Sequence, residues 1–172
     1  SIFLIIGTLV IGRQLNFIQV RDVGFNRENI LILRTASSFN NVRKAFENEV
    51  KEHAGVVGLT ASNSLPGFGF SNLGFGLEGA DRGFTLNIIR CDFNFQQILG
   101  LKIAAGRFFS KDFPTDSTGI ILNETAVKLL GLKSPLGTKM VDGNMPPNKY
   151  HVVGVVKDFN YETVHAQIRP LG

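Results

Sequence analysis

Asp92-Phe93-Asn94-Phe95, Leu99-Gly100-Leu101, Ala105-Gly106-Arg107-Phe108-Phe109-Ser110 and then Ile121-Leu122-Asn123-Glu124-Thr125-Ala126 form the stretch whose reading decides the fold. Phe93 to Leu99 has the length of one or two helical turns. Gly100 ends them, because glycine takes the left-handed conformation that closes a helix. Leu101 to Ala104 reads as short and extended. Ile120 to Leu122 is a strand that runs directly into a helix. Asn123 suits the N-cap, where a side-chain oxygen accepts a free amide of the first turn. Glu124 suits the positive end of the helix dipole. Ala126, Leu129 and Leu130 are the predicted inward face, and Gly131 closes the helix.

Working outward, Pro135 to Pro147 is rich in turn residues, and Tyr150 to Val156 is a second apolar strand that Asp158-Phe159-Asn160 leaves. Upstream, Thr85 to Arg90 reads as a strand. Ile30 to Leu33 is a short apolar run of the kind that forms a buried strand, and Val56 to Ser62 reads as another. Between them Phe39, Val42, Phe46 and Val50 recur every three or four residues, which predicts an amphipathic helix with Glu47 and Lys51 paired on its wet side and Gly55 at its end. Strand, helix and strand in this order begin a βαβ-like layer. The chain reads as α+β with a mixed sheet.

The composition fits a packed core. Of 172 residues, 44% are hydrophobic and 19% charged, so disorder is excluded and neither a disulfide nor a metal is needed for folding. The one cysteine, Cys91, has no partner for an internal disulfide and no Cys/His cluster around it for zinc. The net charge of +4 comes from scattered basic residues, which argues against nucleic acid as a partner.

The run Ile2 to Ile11 carries no charge. It is about half the ~20 apolar residues that span a bilayer as a helix, and it lacks the basic start and small-residue cleavage site of a signal peptide. It reads either as a buried core helix or as the outer half of a transmembrane helix; the absence of an initial Met favours the second. Leu15, Phe17, Ile18 and Val20 continue a partly apolar face, as a stalk would, and Gly24 is a plausible C-cap.

No motif of catalysis emerges. Gly74-Phe75-Gly76-Leu77-Glu78-Gly79 fits GxGxxG, but the turn residues Ala80-Asp81-Arg82-Gly83 follow where a dinucleotide site needs a helix N-terminus. A hairpin explains these glycines better. Leu136-Gly137-Thr138-Lys139 lacks the loop of a Walker motif, so the chain itself is not expected to bind ATP. His53, His151 and His165 are far apart. Glu78, Asp81, Asp92 and Asp116 read as solvated loop carboxylates before they read as an acid/base pair, so neither an enzyme nor a cofactor is expected. Asn123-Glu124-Thr125 is a formal glycosylation sequon placed where a helix cap is needed. The stretch Pro66 to Phe75 interleaves Phe68, Phe70 and Phe75 with glycines; it is either an apolar contact patch for a partner or core filler under a hairpin.

Several segments also match a known pattern in order. Arg21-Asp22-Val23-Gly24-Phe25-Asn26-Arg27-Glu28-Asn29-Ile30-Leu31, Ser62-Asn63-Ser64-Leu65-Pro66-Gly67, the opening stretch, and Val153-Gly154-Val155-Val156-Lys157-Asp158-Phe159-Asn160-Tyr161 followed by Ile168-Arg169-Pro170 resemble the extracytoplasmic core domain of MacB/FtsX-type ABC transporter permeases, especially the Bacteroidetes-type branch. Each motif alone is weak; the ordered set is specific. The resemblance implies the end of a transmembrane helix and a stalk over 1–23, a porter-like lobe over 24–92, a smaller inserted α/β lobe over 93–148, and a return to the first lobe over 149–172. It also implies further extracytoplasmic sequence and three more membrane helices after Gly172. It implies a cytoplasmic P-loop ATPase partner, a permease dimer in the inner membrane with this domain in the periplasm, an envelope protein as a further partner, and work by mechanical transmission. Phe68, Phe70 and Phe75 are then the expected partner-contact residues. The competing reading is a membrane-tethered binding or sensor domain with a small-molecule pocket near the Phe/Gly loop.

Overall fold

The fold is taken from a computed structural model that describes residues 2–20, 22–34, 42–80, 83–162 and 166–172. Helix α1 (Ile2–Val20) is followed by α2 (Arg43–Glu52), the strands β1 (Ser71–Leu77) and β2 (Gly83–Ile88), and α3 (Phe95–Leu99). Next come β3 (Ile103–Gly106), a 3-10 turn (Pro114–Thr118), β4 (Gly119–Asn123), α4 (Glu124–Leu129), β5 (Lys139–Asp142) and β6 (Lys149–Val156).

All six strands belong to one mixed sheet organised on β6. β6 is apolar from Val152 to Val156, apart from Gly154, and can be buried on both faces. β4 runs parallel to it over Gly119↔His151 to Asn123↔Val156. β5 pairs antiparallel with its first half, Lys139↔His151, and β3 with its second half, Ile103↔Val156. His151 therefore has β4 on one edge and β5 on the other. β1 continues the sheet from β5, and β2 from β1, as an antiparallel hairpin with Phe75↔Phe84 in register. The glycines at 74, 76 and 79 lie on this hairpin, as expected.

Gly154 sets the geometry of the β3–β6 contact. A Cβ there would lie 2.0 Å from the Arg107 carbonyl oxygen, so only glycine lets the chain after β3 cross β6 so closely. That crossing throws the segment 107–119 over the sheet.

The last residues brace the sheet. The Asn87 amide donates to the Pro170 carbonyl, and the Gly172 amide to the Asn87 carbonyl, at 3.0 and 2.9 Å. On the other side the Asn123 amide donates to the Leu171 carbonyl at 3.1 Å. Residues 170–172 thus lie between β2 and the end of β4. The Asn123 side chain locks the junction. Its Oδ1 accepts from Ala126 N (2.9 Å), capping α4, and from Leu171 N (3.0 Å), while its Nδ2 donates to the Arg169 carbonyl (2.9 Å). Nearby, Asn87 Nδ2 donates to Tyr161 Oη at 2.8 Å, and Tyr161 Oη donates to the Arg169 carbonyl at 3.0 Å. Burial, opposed in part by these hydrogen bonds, pushes the Tyr161 phenol up to about 12, so it stays protonated. Among the described residues no buried side-chain polar atom lacks a partner.

Two apolar clusters meet across β4. Ile120 and Leu122 join Phe75, Leu86, Met140 and Val152; Ile121 joins Phe95, Leu101, Val156, Phe159 and Leu171. A strand facing apolar groups on both sides needs the unbroken run Ile-Ile-Leu that the sequence has there.

Several expectations are corrected. Ile30 to Leu33 forms no strand, and Leu31, Ile32 and Leu33 are exposed. Val56 to Ser62 makes only one isolated bridge, Ser62↔Cys91, and Val57 is fully exposed. Both runs have strand-forming residues, but among the described residues the first meets no strand edge and the second is paired only around Ser62, and a strand exists only in a pair. Leu129 points outward, at 57% exposure, while Val127 and Leu130 pack on the core. α4 is under two turns long, and its start on Asn123 fixes the face it buries. Gly24 lies beyond the end of α1 and packs on Phe159 instead of capping the helix. α2 begins at Arg43; Phe39 and His165 lie outside the described residues. Apart from these corrections, β3, β4 and β5, all within 93–148, bond to β6 and β1.

Replacing Gly154 with Ala should cost about 3 kcal/mol, since a backbone oxygen must move. Gly143→Ala, where the new Cβ would meet nothing nearer than 3.7 Å, should change stability by less than about 0.5 kcal/mol. Chemical denaturation of the two variants compares them directly, and equal midpoints would contradict the crossing described here. Asn123→Ala should lose about 3 kcal/mol, from the cap and two stranded buried partners. Asn123→Asp keeps the cap and should lose less.

Candidate functional site

The three expected contact residues do not form one patch. Phe75 is in the core, 4% exposed, with its ring edge-on to Tyr150 at 5.6 Å. Phe70 is half-buried, edge-on to Tyr161 at 4.8 Å. Only Phe68 lies at the surface, where the Arg34 guanidinium sits 4.4 Å from its ring centre. Strand alternation separates them: Phe75 lies on β1 and turns inward, whereas Phe68 precedes the strand on a turn.

Among the described residues, the carboxylates considered from the sequence each hold a piece of backbone or a cation. Asp92 accepts from Thr60 Oγ1, from Ala61 N (3.0 Å) and from Asn94 N (3.1 Å), tying the loop before α3 to 60–61. Asp158 accepts from Thr125 N (3.0 Å) and Oγ1 (2.8 Å), and Glu124 accepts from Asp158 N (3.0 Å). Glu78 pairs with Lys149 at 2.8 Å. Asp116 receives both Arg107 guanidinium nitrogens and the Ser110 amide, and the Arg107 hydrogen bonds hold its carboxyl below its ordinary range. Arg107 also lies 3.8 Å from the Phe113 ring centre. Asp81 is outside the described residues. No group of three or more His, Cys, Asp or Glu among the described residues is placed to hold a metal.

An apolar cleft of about 530 Å³ opens beside the sheet. One wall is the end of β2 and the turn after it, Ile88 to Cys91 with Phe93. The other is the segment thrown over the sheet at Gly154, with Phe108, Phe109 and Phe113. Ile120, Ile121 and Leu171, members of the two core clusters, also line the cleft. Burial, and the charge of Asp92 beside it, push the Cys91 thiol in the wall up to about 12. The sequence reading missed this site. Its one signal is phenylalanine density: five of the chain's 15 lie at 93, 95, 108, 109 and 113. Phe75, expected at a surface, reaches the cleft from the β1 side.

The molecule is thus an α+β domain preceded by an exposed apolar helix. The chain belongs to the family of MacB-like periplasmic core domains, the extracytoplasmic part of MacB-type ABC transporter permeases, whose match covers residues 1–167. No curated protein matches it. Among solved structures, the periplasmic region of MacB from Actinobacillus actinomycetemcomitans is similar at 17% identity and a TM-score of 0.51, over 80% of this chain and 68% of that one. A domain of a putative permease from Porphyromonas gingivalis is similar at 17% identity and a TM-score of 0.52, over 72% and 49%. The extracellular domain of the noncanonic ABC-type transporter YknZ from Gram-positive bacteria is similar at 21% identity and a TM-score of 0.51, over 69% and 59%. The matches span about half to two thirds of the length of these three chains.

Asp142 supplies the pH dependence. Burial raises its carboxyl, but the side chains and amides of Asn148 and Asn144 more than offset this and hold it at about 2. A depressed folded-state value stabilises the fold above the unfolded carboxylate pKa of about 4. That contribution is lost as pH falls from about 4 toward 2. Thermal melts followed by circular dichroism between those values should fall more steeply for the parent chain than for Asp142→Asn. Parallel profiles would show that the 142–148 loop does not carry this linkage.

Proposed function

We propose that this domain passes motion from a cytoplasmic ATPase to the periplasm, as part of a permease that couples ATP hydrolysis to export, lipoprotein release or envelope signalling. The observation that carries this reading is how the chain just after α1 is fastened to the domain. Val23 is buried, and its carbonyl accepts from Asn160 N at 2.8 Å. Gly24, at φ +83°, passes so close to Phe159 that a Cβ would sit 2.8 Å from that residue's own Cβ. Phe25 packs edge-on against Phe159 at 6.2 Å, and the Asn26 amide donates to the Leu99 carbonyl at 2.6 Å. A displacement arriving along α1 meets a close-packed anchor, and close-packed interiors transmit strain.

The N-terminal half of α1 supports a membrane position. Ile2 to Ile6 and Leu9 to Ile11 are all exposed, with no apolar face turned to a core. Among the described residues no helix is long and apolar enough to cross a membrane. In this scheme a P-loop ATPase binds the ATP, two permeases pair in the inner membrane, and this domain stands in the periplasm. Phe68, under the Arg34 guanidinium, is the contact residue for an envelope partner; half-buried Phe70 and buried Phe75 are not part of that surface. A second reading, a membrane-tethered binding domain, is supported by the apolar cleft.

Purification of the protein from membranes in mild detergent, with mass spectrometry of its companions, tests the first reading. A P-loop ATPase should co-purify, and ATP turnover should vanish when its Walker lysine is replaced. Recovery of the protein alone, or with envelope proteins only, would overturn the proposal in favour of the second reading.

A further inference from the structure

We infer that the cleft between β2 and the 107–119 segment binds a monoacyl anion, an amphiphile with one hydrocarbon chain and a carboxylate head. Its volume of about 530 Å³ falls within the roughly 300–1,000 Å³ of small-molecule sites. Its walls are phenylalanine and aliphatic side chains, which match a hydrocarbon chain and give a polar ligand little to bond. Among the lining residues Ile120 and Leu171 are buried whereas Arg90 and Lys111 are exposed, so the methyl end of the chain would lie toward the former.

The charges in the lining choose the head group. Two cations line the cleft, Arg90 and Lys111, both exposed. Neither forms an ion pair among the described residues. The one acidic side chain in the lining, Asp116, is 1% exposed and is consumed by Arg107 and the Ser110 amide. The ring of Phe113 is covered by that same guanidinium, so the Arg107–Asp116 pair braces the wall while Arg90 and Lys111 are left to meet a ligand. An anionic head is attracted to this lining and a cationic head is repelled. The site requires nothing of an ATPase, so it stands or falls apart from the transmission reading.

The test uses the whole chain in nanodiscs of zwitterionic lipid and a dodecanoate carrying a diazirine near its methyl end. After irradiation, mass spectrometry should place adducts on peptides containing Cys91, Phe93 or Phe109. Unlabelled dodecanoate in excess should suppress those adducts at least about tenfold, and dodecyltrimethylammonium should not. Chain length should matter too, with decanoate competing about tenfold more weakly than dodecanoate for the two methylenes it lacks. Reversing the head-group field with Arg90→Glu and Lys111→Glu should cut cleft labelling about tenfold while adducts on α1, the membrane background, stay constant. Phe109→Trp, which fills the cleft without touching charge, should do the same; circular dichroism melts check that each variant is folded, and Lys111→Gln replaces the double variant if that one is not. Adducts confined to α1, equal competition by the cationic amphiphile, or cleft labelling indifferent to charge reversal would each overturn the inference.

Discussion

One buried amide, Asn123, holds three parts of the chain together. Its oxygen caps α4 and receives the Leu171 amide, its nitrogen reaches the Arg169 carbonyl, and its backbone closes β4 onto the same segment. An asparagine can do this because it carries an acceptor with two lone pairs and a two-hydrogen donor on one short side chain. At 1% exposure it has no water to fall back on, so each partner must be in place. The position of α4, the end of β4 and the path of 169–172 are therefore decided together. Because 170–172 also pair with β2, the far edge of the sheet depends on the same residue.

The link from β2 through 170–172 to the end of β4 braces the sheet, and that bracing gives the attachment near Val23 its meaning. Phe159, which receives the chain after α1, belongs to the apolar cluster that contains Leu171. A push on Gly24 and Phe25 is thus applied to the braced part of the sheet. The cleft is a by-product of the same architecture. Gly154 lets the chain after β3 cross β6 closely, and the crossing leaves the phenylalanines of 107–113 facing the turn after β2 across a gap.

Local signals in the chain were legible where they are local in cause. The Asn123-Glu124 cap, the end of α3 at Gly100, the β6 run and the hairpin glycines between 74 and 79 each depend on neighbours within a few residues. The ordered motifs pointed to the family because they preserve these local devices together. Ile30 to Leu33 and Val56 to Ser62 were misread for the opposite reason. Their composition favours strands, but a strand needs an edge elsewhere in the chain, and composition does not report whether that edge exists. Phe75 shows the same limit on a smaller scale: one residue of register decides whether an aromatic on a strand faces the core or the solvent.

The sequence by itself determined the class of the domain, the apolar character of its first helix and the family it belongs to, since periodicity, caps and ordered motifs are written in consecutive residues. Tertiary structure alone decided which phenylalanines reach a surface, that the sheet runs unbroken through 93–148, and that Asn123 serves as more than a cap. It also made the cleft, whose walls are contributed by segments that only the crossing at Gly154 brings opposite one another. Those outcomes depend on contacts between residues far apart in the chain, which local patterns do not specify; the phenylalanine density at 93–113 marks the cleft's residues but not that they face one another.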